Sequence, residues 1–491
     1  MGTTQSCEST TPTDLARSPE PLLVLYDAET RKTFATDFPD LCAQTTTNEF
    51  PNAQILMLNH VLMTGYGIAR VNNALSIPQN CVATTYGGHQ FGHYSTLGDG
   101  RAALYTELVA GPSKQHIDIC FKGSGRTAYS RPGTDGLATL SSVIREYIMS
   151  ESMHGLGVPT TRALAAFKTG DTILRQGKPQ PGGVLIRTAE SFIRFGTFEL
   201  VSRQYPHLLE KLLHYAKQRH AMPGMGKQIV FDYIFETIDR YARLVARWMS
   251  IGFIHGVMNT DNVSIGGLTI DYGPCAFMDE YNRNRVFSKI DTNGRYAFGN
   301  QPAMAEWNVG MFVEALQTSP TNSKPVHPTS ARKYFTVQYL RHYYGIMGRK
   351  FGIGEAAQYD DVRRLTSEFL DLMQANNLDF TNTFRELADR QTFTGNGQLA
   401  SLFKEWESQW KKVREPNDKL RQRIMQAACP VYIPRNHLVQ EAIDQTLEGD
   451  CRMMRKLLDL MKDPYTRQKG VEYFTQLPTE EKRVKFTTCG T

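Results

Sequence analysis

Between His255 and Tyr272 the chain reads HGVMNTDNVSIGGLTIDY, and no other stretch limits its possible folds as tightly. A histidine–glycine pair opens it. Asn262 follows seven residues on, and Asp271 nine residues after that, just past Leu268-Thr269-Ile270. An amide oxygen and a carboxylate at the two ends of a short hairpin suit Mg²⁺, which keeps water and substrate phosphate in its shell. Asp261 stands beside Asn262. Such a pair also caps ordinary turns, so the motif has to be weighed with the rest of the chain.

The same order of groups makes up a protein-kinase catalytic loop: a His-led turn, a metal-binding Asn, a hairpin, then the Asp of a DFG-type motif. Here that last motif is Asp271-Tyr272-Gly273. One position breaks the pattern. Kinases carry the catalytic Asp two residues after the His, and this chain has Val257 there. Valine accepts no proton and orients no hydroxyl. Either the base has moved to Asp261 or ordinary phosphorylation is lost.

Upstream residues fit the same grammar. Gly98-Asp99-Gly100-Arg101 leads into a strand-like AALYTELVA, and His116–Lys122 alternates enough for a second strand. Glycines before a strand let the backbone approach phosphate, although most glycine clusters are only turns. Lys122 ends the second strand. A helix is expected from about Leu137 to Gly155, with Leu140, Val143, Ile144, Tyr147 and Ile148 at helical spacing and Glu146 and Glu151 on it. A strand lysine held by a helix glutamate is the second kinase hallmark. A hairpin is expected over 171–174 and 184–187 around GKPQPGG. Arg187 and Arg194 follow, and guanidinium forks near a nucleotide bind phosphate oxygens. An amphipathic helix over about 228–250 then leads directly into His255.

Composition adds bounds. With 491 residues, 41% hydrophobic and 21% charged, the chain has ordinary globular makeup and room for two to three domains. A net charge of +6 is mild for this length and does not argue for nucleic acid. No run of about 18 apolar residues reads as a membrane span. Eight scattered cysteines form no CxxC pair and fit a reducing compartment. Neither a transit peptide nor a secretory signal is evident, so a cytoplasmic location is expected. Met1-Gly2-Thr3-Thr4-Gln5-Ser6 fits the myristoylation pattern, with Cys7 as a second acyl position.

Taken together, six segments resemble the selenoprotein O (YdiU) family: TYGGHQFGHYSTLGDGRA (85–102), FKGSGRTAYSR (121–131), SSVIREYIMSESMHGLGVPTTRAL (141–164), IRTAESFIRFGTFE (186–199), HGVMNTDNVSIGGLTIDYGP (255–274) and GRYAFGNQP (294–302). The resemblance implies a protein-kinase-like fold that acts as a protein adenylyltransferase. ATP would bind flipped relative to kinases, AMP would pass to Ser, Thr or Tyr hydroxyls of proteins, and pyrophosphate would leave. It also implies residue roles. Gly98, Gly100 and Arg101 contact the nucleotide. Lys122 binds phosphate and pairs with Glu146. Asp135 and Gly136 line the ATP site, and Arg187 and Arg194 clamp the nucleotide. Asn262 and Asp271 hold Mg²⁺ (or Mn²⁺), and Asp261 accepts the proton. One departure falls at Gly133-Thr134-Asp135-Gly136, where relatives often read Gly-Asp-Gly, so Asp135 carries over less directly. Relatives also carry a Sec or Cys near the C-terminus. Cys489 matches that position, which implies a disulfide with Cys275, the nearest cysteine past the Asp-Tyr-Gly motif.

The expected fold is α+β and kinase-like: an N-lobe of antiparallel sheet plus one helix, a mainly helical C-lobe, and extra C-terminal helices. The expected division is a disordered leader over 1–20, a covering segment over 21–80, the N-lobe over 81–200, the C-lobe over 201–317, a linker over 318–330 and a helical region over 331–491. Helices are expected there at about 331–346, 361–375, 380–391, 397–413 and 436–461. Protein substrates and a monomeric state are expected. A conventional kinase using Asp261, and a nucleotide-binding scaffold without activity, stay open as alternatives.

Overall fold

The structure is a computed structural model that describes residues 22–26, 28–72, 75, 79–110, 114–220, 229–317, 326–354, 358–395 and 397–488. The acylation pattern at Gly2 and Cys7, the leader, most of the linker and Cys489 lie outside these residues.

An antiparallel sheet forms the first half. Its main path uses β1 (Cys42–Thr46), β2 (Gln54–Leu58), β3 (Asn80–Gln90), β4 (His93–Gly98), β5 (Ala102–Ala110), β6 (Gln115–Lys122), β7 (Arg162–Arg175) and β8 (Lys178–Ala189). The spatial order is β1-β3-β5-β6-β8-β7-β2, with β4 hydrogen-bonded to β3. Lys122 lies opposite Leu185 of β8 and Ala102 of β5 in the ladder, so these side chains share one face. The other face is closed by side chains of the N-terminal segment. Leu22, Phe50, Leu62 and Ile68 bury against Ile119, Phe121, Phe167 and Ile186. Part of the segment expected only to cover the molecule therefore also contributes ladder strands, β1 and β2.

Helix α1 (Leu140–Gly155) packs on the Lys122 face through Leu140, Val143, Ile144, Tyr147 and Ile148. Its start is fixed by Thr139, whose side chain accepts the Ser142 amide at 3.2 Å. The expected start at Leu137 is three residues early because Ala138-Thr139 is first drawn into a bridge with β8.

The β7–β8 hairpin corrects a second expectation. The turn is Gln176-Gly177, both at positive φ, and Arg175 pairs with Lys178. GKPQPGG was expected to be loop, yet Pro179 and Pro181 lie inside β8, opposite Leu174 and Thr172. Two consecutive residues at positive φ make the turn that matches strand twist, and this outweighs the proline signal.

The remainder is mainly helical, apart from the 251–300 stretch that carries the site. Helices α2 (Phe195–Gln204), α3 (Leu209–His220), α4 (Ile229–Ser250), α5 (Gln301–Leu316) and α6 (Pro328–Lys350) follow. The fully buried Lys350 donates to the Ser250 carbonyl at 2.6 Å and so satisfies the end of α4. Two expected C-terminal helices are each interrupted. The 397–413 pattern forms Gly397–Leu402 and Lys404–Trp410. The 436–461 pattern forms Asn436–Leu447 and Arg452–Leu460, because Gly449 at φ +97° reverses the chain between them. Among the described residues no helix is long and apolar enough to cross a membrane.

Arg435 ties this helical region to the segment after Gly273. It is 1% exposed and reaches Asp279 at 2.7 Å and Asp379 at 2.8 Å. Removing it leaves the buried Asp379 and the partly buried Asp279 carboxylates without their cation, at a cost of roughly 3–5 kcal/mol. Arg435→Ala is expected to lose that much stability, read from chemical denaturation of the full chain.

Candidate active site

The stretch from His255 to Asp271 is pinched at its base. Phe253–Ile254 pairs with Ala276–Phe277, so the chain leaves and re-enters the core at adjacent points. His255 is buried, and its Nε2–H donates to the Ile270 carbonyl at 2.9 Å. Burial lowers its pKa, which suits a neutral ring that serves as a peg. The peg fixes the residue just before Asp271. Asp271 itself holds φ +63°, a left-handed conformation that non-glycine residues seldom keep without outside support.

Part of that support comes from Lys122. Its ammonium donates to Glu146 Oε2 at 2.5 Å and to Asp271 Oδ1 at 2.7 Å. A strand end, a helix and the catalytic-type loop therefore meet on one nitrogen. The helix glutamate is Glu146. Glu151, the other candidate, is occupied by Arg162 at 3.0 and 2.7 Å. Arg187 is buried and lies 3.6 Å from the second oxygen of Glu146. Burial works against a charged Asp271, yet Lys122, Arg101 and Arg187 outweigh it and hold its carboxyl far below the usual range.

Asp261 lives in a different field. It is 7% exposed, and its Oδ1 has no hydrogen-bond partner. Burial raises its pKa to about 6, against the pull of Arg194 and with a push from Asp271. The β3–β4 hairpin lies directly on it. The His89 amide donates to Thr260 Oγ1 at 2.7 Å and the Phe91 amide to Asn259 Oδ1 at 3.1 Å. A Cβ on Gly88 would sit 2.5 Å from Asp261 Oδ1, so only glycine permits this approach.

Arg194 links the hairpin to the loop. It donates to the Asp261 carbonyl at 2.7 Å, lies 4.2 Å over the Tyr86 ring, and faces Asp99 at 3.6 Å. Asp99 is in turn held by Thr84, through Oγ1 at 2.6 Å and the amide at 3.0 Å. The sequence reading passed over Asp99 and Tyr86. The motif GDGR was read for its glycines and arginine, although an acid between two glycines at a strand turn was the available signal.

Gly98 and Gly100 sit against Tyr129, at which a Cβ would come within 2.5 Å of the ring and 3.1 Å of the backbone oxygen respectively. They seat the 123–137 loop on the turn before β5. Asp135 does not join the Lys122 cluster. It turns outward to Arg175, at 2.8 and 2.9 Å. Gly136, at φ +70°, closes the base of the loop, where the Gly125 amide donates to its carbonyl at 3.2 Å.

For a hard cation, the chemistry of the donors is suitable. Asn262 Nδ2 donates to the Val257 carbonyl at 3.1 Å, which assigns its other terminal atom, Oδ1, the role of acceptor. Asp271 contributes a carboxylate kept ionised by its cationic neighbours. An amide oxygen and a carboxylate, with phosphate and water completing the shell, fit Mg²⁺ better than softer ions. Among the described residues no cluster of three His, Cys, Asp or Glu offers another centre. Cys275 is buried and donates weakly to the Tyr272 carbonyl at 3.4 Å. Its expected partner Cys489 is outside the described residues.

Gly88→Ala tests the seating of Asp261. A displacement of about 1 Å at a reacting group costs on the order of 100-fold in rate. The variant is expected to lose activity on that scale while its thermal midpoint stays within a few degrees of wild type.

Comparison with known proteins identifies the family. The family profile described as "Protein adenylyltransferase SelO" matches residues 27–462. "Protein nucleotidyltransferase YdiU" of Clostridium perfringens is 43% identical over 424 residues, covering 84% of each chain. The protein of that name from Geobacillus kaustophilus is 43% identical over 423 residues, covering 84% of this chain and 86% of its own. That of Clostridium botulinum is 39% identical over 464 residues, covering 90% of this chain and 93% of its own. With a chain-long match of this strength and an ion-paired lysine beside an acid-and-amide loop, this chain belongs to the SelO family and is a nucleotidyltransferase.

Proposed function

We propose that the protein transfers AMP from ATP to Ser, Thr or Tyr hydroxyls of other proteins, with ATP bound in the orientation opposite to that in kinases and in a kinase-like bilobal frame. The observation that carries this reading is the contrast between the two aspartates. Asp271 is ion-paired to Lys122 and kept ionised by its cationic neighbours, whereas Asp261 is buried, has an Oδ1 without a hydrogen-bond partner, and is raised to about 6. One suits cation and phosphate binding, the other proton transfer.

The step balances as follows. The acceptor oxygen attacks the α-phosphorus, and its proton passes to Asp261. The bond from the α-phosphorus to the bridging oxygen breaks, and pyrophosphate leaves with that electron pair. Lys122 and the Arg101, Arg187 and Arg194 guanidiniums neutralise the triphosphate. Glu146 orients Lys122. Asn262 and Asp271 would hold Mg²⁺, which supplies further charge neutralisation when bound. Gly98 and Gly100 shape the turn beside the nucleotide. Asp135 and Gly136 act through the 123–137 loop, since Asp135 is engaged by Arg175. The loss of aspartate at 257 then accompanies a change of reaction. Protein targets in a cytoplasmic setting and a monomeric enzyme complete the reading.

Three measurements test it. ATP labelled at the α-phosphorus is expected to label protein, while γ-labelled ATP leaves none; label retained from the γ position alone makes the protein a kinase. Asp261→Ala is expected to abolish transfer and keep ATP binding, and Asp271→Ala to lose metal-dependent binding. The pH profile follows from Asp261. Its carboxylate is the working form, so activity holds above about 6 and falls as pH drops through that value. A flat rate between pH 7 and 5 would remove Asp261 from the role.

A further inference from the structure

The segment between Pro274 and Tyr296 takes no part in the reaction above, yet both its ends are tied to the site. At its start, Thr487 Oγ1 donates to the Pro274 carbonyl at 2.5 Å, just past Asp271. At its end, the Tyr296 hydroxyl donates to Asn259 Oδ1 at 2.6 Å, just before Asp261. The segment therefore runs along the flank of both aspartates.

Its charge is one-sided. Residues 279–295 hold three acids and four cations. Every acid is already engaged. Asp279 meets Arg435 at 2.7 Å, and Glu280 meets Arg483 at 2.6 and 2.9 Å. Asp291 accepts the Arg295 and Tyr296 amides at 2.9 and 2.7 Å. The cations Arg283, Arg285, Lys289 and Arg295 form no ion pair among the described residues. Rings steady two of them. Arg285 lies 4.5 Å over Phe287, and Arg295 lies 5.0 Å over Trp307 of α5 and 5.7 Å over Tyr296. Stacking on a ring holds a guanidinium in place and supplies no counter-charge of its own.

Apolar side chains stand among these cations. Ile290, next to Lys289, is 62% exposed. A parallel bridge between Ser288 and Thr487 lays the C-terminal tail along the segment and brings Phe486, 61% exposed, to the same stretch. Single exposed apolar residues are ordinary. Two of them beside four cations without carboxylate partners, on the flank of a site, suit a protein partner better than nucleic acid, whose phosphate backbone has nothing apolar to cover them.

We propose that this face is the docking surface for the protein acceptor, and that it takes an acidic segment carrying an apolar side chain. This rests on the reading that the acceptor is a protein. Carboxylates of the acceptor answer the cations, its apolar side chain covers Ile290, and the hydroxyl to be modified is delivered along the flank toward Asp261. Complementary charge of this kind selects the partner and fixes its register.

The test uses the full chain with Mg²⁺ and a non-hydrolysable ATP analogue, so binding is read without transfer. Short fluorescein-labelled peptides with one central tyrosine are the probes. One has aspartate and leucine flanks, one has lysine in place of aspartate, and one has serine in place of leucine. Fluorescence anisotropy is expected to rank the aspartate–leucine peptide at least about tenfold tighter than the lysine peptide, with the serine peptide between them. The double variant Arg283→Glu/Lys289→Glu is expected to invert the order of the aspartate and lysine peptides. Ile290→Ser is expected to remove the difference between the leucine and serine peptides. Analogue affinity is expected to change by less than about twofold in both variants. All three positions are exposed, so the substitutions leave the core intact. Absent or unranked peptide binding in wild type, or wild-type ranking in both variants, overturns the proposal. Tighter binding of single-stranded RNA or phosphatidylserine vesicles than of the aspartate–leucine peptide overturns it as well. Labelling of protein from α-labelled ATP is scored separately: where it occurs without peptide ranking, this surface falls and the transferase reading stands.

Discussion

A single ammonium group, that of Lys122, holds three distant parts of the chain in register. Its partners Glu146 and Asp271 lie 24 and 149 residues away. Both contacts are largely shielded from water, so each is stronger than a surface pair and each leaves a costly orphan if broken. The sheet delivers the lysine and α1 delivers the glutamate. The pinch at Phe253–Phe277 and the His255 peg deliver the aspartate. The left-handed backbone at Asp271 persists inside that framework.

The neighbouring acid shows how one site keeps two carboxylates in different states. Asp271 is surrounded by Lys122, Arg101 and Arg187 and stays charged. Asp261 is covered by the Gly88 backbone and loses solvent faster than it gains cations. Arg194 touches its peptide carbonyl at 2.7 Å, so that guanidinium's hydrogen bond is to the backbone. The glycines of the β3–β4 hairpin thus act on chemistry through proximity. They let a strand lie against an acid and strip it of water. The same hairpin fixes Arg194 through Asp99 and Tyr86, which couples the turn before β5 to the loop at Asp261.

Much of this was legible in the residues themselves. The α1 and α4 helices follow from apolar periodicity, and a pairing of Lys122 with a glutamate of α1 from a strand end followed by an amphipathic helix. The order His255, Asn262, Asp271 gave the loop. What stayed hidden depends on long-range geometry. Nothing local separates Glu146 from Glu151 until β7 brings Arg162 to the latter. Asp135 reads as a site residue by motif, yet Arg175, from the far end of β7, draws it outward. The β7–β8 turn was missed because two prolines marked the wrong residues, while positive φ at Gln176 and Gly177 decided the matter.

The account stands on a division of labour between positions 261 and 271, and one structure tests it most directly. Crystals grown with Mn²⁺ and a non-hydrolysable ATP analogue give an anomalous peak that locates the cation independently of the protein. The account predicts that peak in the coordination shell of Asn262 and Asp271, with the α-phosphorus nearer Asp261 than the γ-phosphorus. A peak bound to Asp261, or a γ-phosphorus presented to it in place of the α, would contradict the account.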